Sequence, residues 1–98
     1  MSPRTPKAPP AAVERVQTGV RLEKRLLKVA KALADSLDLT LGDLLEGVLL
    51  HALEGRAPFS PATLARAGQL KDVFGLDLTA ADAHRLVERP MAADRRAR

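Results

Sequence analysis

A mainly helical chain with one short β-strand is the fold class that the sequence predicts, with that strand paired antiparallel to its copy in a second molecule. Three observations predict it. Residues 15–22 alternate with period two, as Arg15-Val16-Gln17-Thr18-Gly19-Val20-Arg21-Leu22. From Glu23 onward apolar residues recur with the 3.6-residue period of amphipathic helices. No second stretch has strand character, and a lone strand leaves its N–H and C=O groups unpaired, so another chain has to supply the pairing and a two-fold dimer is the simplest closed solution.

Composition agrees with a small, self-associating protein. The chain has 98 residues, 46% of them apolar, but its only aromatic side chains are Phe59 and Phe74. A core of Leu, Val and Ala is thin for a lone monomer of this length. The absence of cysteine rules out a disulfide scaffold, a thiolate zinc site and a thiol nucleophile. No apolar stretch approaches a membrane span, and the Pro-rich start lacks the apolar segment of a signal peptide. A cytoplasmic protein with no membrane partner is expected.

The elements follow in order. Residues 1–13 hold four prolines and few large apolar groups and read as a flexible basic arm. After the strand, a helix over 23–37 carries Leu26, Ala30, Leu33 and Leu37 on one stripe, flanked by Leu27, Val29 and Ala34, with Lys24, Arg25, Lys28, Lys31 and Asp35 outside it. Thr40 is placed to cap a second helix, with Asp43 three residues on at the positive end of the dipole and Gly55 as its stop. Leu44, Leu45, Val48, Leu49 and Leu53 are its apolar positions. Ser60 and Pro61 open a third helix that ends at Gly75. Thr79 and Asp82 open a fourth that runs toward Pro90. A domain over 14–56, two C-terminal helices over 57–90 and a basic tail over 91–98 complete the predicted organisation.

Charge is unevenly placed. The chain is formally +4, and residues 1–25 hold six basic against two acidic residues, so this quarter supplies the whole excess. Between Ala32 and Gly55 every formal charge is negative. A basic segment next to an acidic middle suits a polyanion docking on the N-terminal side, nucleic acid first and an anionic membrane surface second; a merely solvated arm is the plain alternative. In the paired strands Val16, Val20 and Leu22 face the helices, and Arg15, Gln17, Gly19 and Arg21 face outward. A two-stranded ribbon fits the major groove of B-DNA, where Arg pairs with guanine and Gln with adenine, which makes Arg21 and Gln17 the expected base readers.

This order of parts resembles the ribbon-helix-helix family of bacterial and archaeal repressors, the class of Arc, MetJ and CopG. The resemblance is carried by Val20-Arg21-Leu22-Glu23, by the stripe Leu26, Ala30, Leu33, Ala34 and Leu37, and by Asp38-Leu39-Thr40 leading into Leu44, Leu45, Val48 and Leu49. It spans about residues 14–55. It implies a homodimer that acts as a transcriptional regulator, with Gln17, Gly19 and Arg21 over the bases and Thr40, Leu41 and Gly42 at phosphate. Arg15, Lys24 and Arg25 are further phosphate candidates. Val16, Val20, Leu22, Leu26, Leu33, Leu45, Val48 and Leu49 are the expected dimer core. Gly19 departs from the family, which presents a side chain there; it leaves readout to Gln17 and Arg21, or marks a bulge.

Other readings keep their place. Residues 57–90 exceed the minimal family unit and are too apolar for a disordered tail, which leaves open a protein partner, as in an antitoxin, or an assembly of dimers along DNA. His51 and His84 lie on separate predicted helices without ligand spacing, so no metal or cofactor is expected. Ser60 reads as a cap rather than a nucleophile, and Asp77 and Asp82 flank a cap. No constellation supports an enzyme. Nucleoid association follows from DNA binding alone.

Overall fold

The structure, a computed structural model, describes residues 10–89. Helix α1 spans Lys24–Ser36, α2 Leu41–Leu53 and α3 Pro61–Phe74, and a single 3-10 turn follows at Ala80–Asp82. The expected basic tail over 91–98, Pro90, and residues 1–9 of the expected arm lie outside the described residues.

Each helix begins where a side chain satisfies its free N–H groups. Glu23 accepts from the Leu26 amide at 2.8 Å, Thr40 from Asp43 at 3.0 Å and Ser60 from Thr63 at 3.2 Å. All three helices end alike. The residues after them adopt left-handed backbone at Asp38 (φ 60°), Gly55 (φ 71°) and Gly75 (φ 66°). The amides beyond then turn back to the last helical turn, Leu39 to the Ala34 carbonyl at 2.9 Å, Arg56 to His51 at 2.9 Å and Leu76 to Lys71 at 2.8 Å. This is the Schellman arrangement, with Asp38 standing where glycine is usual.

Both α2 and α3 pack on α1. Val29, Leu33, Ala34, Leu44 and Leu76 are the buried apolar residues, and Ala30, Leu37, Val48, Phe59, Ala67 and Leu70 pack around the cluster of Leu33, Ala34 and Leu44. The buried face of α1 is therefore the predicted stripe widened to its flanks at Val29 and Ala34, while Leu26, in the first turn of the helix, stays 42% exposed. A stripe read from one helix marks which residues are apolar; where the two neighbours sit decides which of them are covered.

Two expectations about fold are overturned. Among the described residues there is no strand and no sheet: residues 10–22 are irregular and exposed, and their backbone groups make no hydrogen bond to other described residues. The two-stranded ribbon implied by the family resemblance is therefore absent. Period-two alternation marks residues that suit an extended backbone, but a strand exists only where a second backbone pairs with it, and the chain folds no such edge against these residues. The second C-terminal helix is also absent. Its cap forms, since Thr79 and Asp82 bond reciprocally in a capping box, but the chain leaves helical geometry at Ala83 and turns left-handed at His84 (φ 67°). Only about ten residues separate the cap from Pro90, Leu86 and Val87 are the large apolar residues they contain, and a segment so short does not offset the cost of nucleation.

Candidate nucleic-acid interface

The residues expected to read bases share the exposed segment that precedes α1. Gln17, Gly19 and Arg21 are all exposed, and an added Cβ at Gly19 would meet nothing within 4 Å. Gly19 does not have positive φ, so neither crowding nor left-handed backbone demands a glycine there.

The arginines have carboxylate partners. Arg15 donates from Nε and Nη2 to the two carboxylate oxygens of Glu46, both at 2.8 Å, and lies 3.8 Å from Asp43. These bonds hold the Glu46 carboxyl below the usual carboxylate range and raise the guanidinium in return. Arg21 pairs with Glu88. Arg25 is held from three sides, by Glu23 at 3.1 Å, Asp77 at 3.1 Å and the Gly75 carbonyl at 2.9 Å, which ties the start of α1 to the end of α3. The Glu23 carboxyl is held low chiefly by the Leu26 amide it caps, with Arg25 adding to the effect.

Lys24 is exposed and has no ion-pair partner among the described residues. At the start of α2, Thr40 caps Asp43 and its carbonyl accepts from Leu44, while the amides of Leu41 and Gly42 have no acceptor among the described residues. The positive end of α2 thus keeps two free donors, with Asp43 and Glu46 in the turns that follow.

The expected dimer-core residues divide. Leu33 is buried and Leu45 and Val48 are half-buried, whereas Val16 (84% exposed), Val20 (71%), Leu22, Leu26 and Leu49 lie open in the single chain. Helix α2 is apolar nearly all round, and beyond Leu49 it also exposes Leu50 and Leu53. An open apolar groove of about 420 Å³ runs between the helices, lined by Leu26, Val29, Ala30, Leu45, Val48 and Leu86 among others. No group of three or more His, Cys, Asp or Glu residues that could hold a metal ion occurs among the described residues, and His51 directs Nδ1 to the Gly47 carbonyl of its own helix at 2.7 Å. No helix among the described residues is long and apolar enough to cross a membrane.

Comparison with protein-family models, with curated proteins and with solved structures finds no match.

The partners of the arginines are not legible in the sequence. Arg15 and Glu46 are 31 residues apart and Arg21 and Glu88 are 67 apart, beyond the reach of any local pattern. The signal that was present is the segregation of charge, a basic start beside an acidic middle, which also favours pairing within the chain.

Proposed function

We propose that this chain is a non-enzymatic, homodimeric protein that binds double-stranded DNA and regulates transcription. One observation carries the reading. Arg15, Arg21 and Lys24 lie along one exposed segment and at the start of the helix that follows it, the two arginines in exposed ion pairs and Lys24 in none with a described residue, while the acidic residues of the middle belong to the C-terminal end of α1 and to α2 and its cap. Gln17 and Arg21 would meet base edges, with Arg21 exchanging Glu88 for guanine; Lys24 and the free amides of Leu41 and Gly42 would meet phosphate.

Dimerisation is supported by α2. A helix this apolar is usually covered, and in one chain Leu49, Leu50 and Leu53 face solvent. A second copy covers them in this reading. A different partner is favoured by a separate observation: Leu64, Val73, Leu86 and Val87 in the C-terminal part are exposed as well, the surface expected of an antitoxin or an assembly module.

Selection of bound fragments from a random duplex pool tests the proposal. A recurrent motif, bound by a dimer with affinity that falls steeply as salt rises, is the expected result. Arg21→Ala should weaken binding to the selected site more than to random duplex. Equal losses on both would remove the base-reading role. No duplex retained at low salt, with stable co-purification of a protein partner, would favour the second reading.

A further inference from the structure

We propose that the outward face of α1, formed by Lys24, Lys28 and Lys31, is a docking face for the phosphate backbone of duplex DNA; the inference rests on the DNA-binding reading above and assigns it a surface. The three lysines stand at positions i, i+4 and i+7, within one side of the helix. All three are exposed, and none is in an ion pair with a described residue. The contrast with the neighbouring arginines is sharp, because Arg15, Arg21 and Arg25 are each held by a carboxylate. Asp35 continues the row one turn beyond Lys31 and marks its end.

The position of the lysines on the helix is the second observation. Helix N-termini carry partial positive charge, so isolated helices favour acids in the first turn and bases in the last. Here the first turn of α1 contains no acid and the last turn no base. Lys24 therefore adds to the dipole at its positive end, and Lys28 follows one turn on, an arrangement that concentrates positive potential toward solvent. Glu23, which caps the Leu26 amide, and Asp77, which pairs with Arg25, offset part of it.

The geometry selects duplex nucleic acid over other polyanions. The row extends about 10 Å along the helix axis, the length over which one strand of B-DNA carries about three phosphates. A helix that lies in a membrane surface buries its apolar face among the lipids. In α1 that face, Val29, Leu33 and Ala34, is already buried within the fold. Unpaired bases require exposed aromatic platforms. The chain has no Trp or Tyr, Phe59 packs against the core and Phe74 is half-buried at the end of α3.

The test compares the full chain with the triple variant Lys24→Gln, Lys28→Gln, Lys31→Gln and with a charge-matched control, Arg56→Gln, Arg66→Gln, Arg85→Gln. Glutamine and lysine have similar helix propensity, so circular dichroism should show the same helix content in all three. Fluorescence anisotropy on a random-sequence duplex, titrated from low to physiological salt, reads the affinity and its salt slope. The lysine variant should bind about 10- to 100-fold more weakly, with a log–log salt slope shallower by about 2–3 per protomer, while the control keeps the slope of the wild type. A lysine variant that is folded and retains the wild-type slope overturns this face. Loss of binding to phosphatidylserine vesicles in place of loss on duplex would overturn it too. If the wild type binds no duplex at low salt, it is the DNA-binding reading that fails, and the docking face fails with it.

Discussion

The guanidinium of Arg15 and the carboxylate of Glu46 meet as a two-bond fork, Nε to Oε2 and Nη2 to Oε1, each 2.8 Å long. Through it a segment that lacks any backbone hydrogen bond to the described residues is moored to the second turn of α2. Arg21 pairs likewise with Glu88, so two exposed ion pairs tether residues 10–22 at separate points.

Cutting that mooring should loosen the segment without unfolding the helices. In Glu46→Gln, tryptic cleavage after Arg15 and Arg21 is expected to quicken several-fold while the melting temperature changes little, since both groups are exposed. Raising salt on the wild type should imitate the variant. Identical cleavage rates for variant and wild type at low salt would show that the fork does not restrain the segment.

Acid should weaken the fold chiefly through Glu23, which caps α1, with only a small share from Glu46. Folding holds both carboxyls below the ordinary value of 4.5, Glu23 chiefly through the Leu26 amide and Glu46 through Arg15. The unfolded chain therefore binds more protons in that window, and stability rises with pH there. The contribution is complete above 4.5 and is lost as pH falls through the lower folded values. Thermal melts across this range should show a decline that is shallower in a Glu23→Gln, Glu46→Gln variant; parallel declines would contradict the assignment.

Truncations on the two sides of the helical layer should separate folding from association. Leu33 is 3% exposed at the centre of the core, and Leu33→Ala should cost about 2–5 kcal/mol in denaturant unfolding. Leu53 is 82% exposed, and Leu53→Ala should leave an isolated chain within about 0.5 kcal/mol. Light scattering should nevertheless show the Leu53 variant dissociating at higher concentration than the wild type. An unchanged dissociation constant would place the second copy elsewhere.

The helix ends offer a pair of opposite effects. Gly75→Ala forces an L side chain into left-handed backbone, at a cost of about 1–2 kcal/mol, and the cost is conformational because nothing lies within 4 Å of the added Cβ. Asp38 already carries part of that penalty, so Asp38→Gly should raise stability by roughly 0.5–1 kcal/mol. Denaturation midpoints that move in the same direction would show that the two ends are not equivalent.

Much of the candidate interface is legible in the sequence. The net charge of the first 25 residues, the outward lysines at 24, 28 and 31, and the Thr40 cap can all be read from spacing and composition. What could not be read is which cations remain available, because Glu46, Glu88 and Asp77 reach Arg15, Arg21 and Arg25 across folds of the chain that no local pattern encodes.

The sequence by itself determined the three helices and their limits. Thr40, Ser60, Gly55 and Gly75 act on amides and carbonyls a few residues away, and such contacts depend on local order alone. Tertiary structure decided the rest: that Val29 and Ala34 are covered while Leu26 stays exposed, that residues 15–22 find no backbone to pair with, and that Thr79 caps a single turn instead of a helix. A cap supplies hydrogen bonds to one turn, but a strand or a further helix persists only where distant apolar surface or a second backbone compensates for the entropy of ordering it.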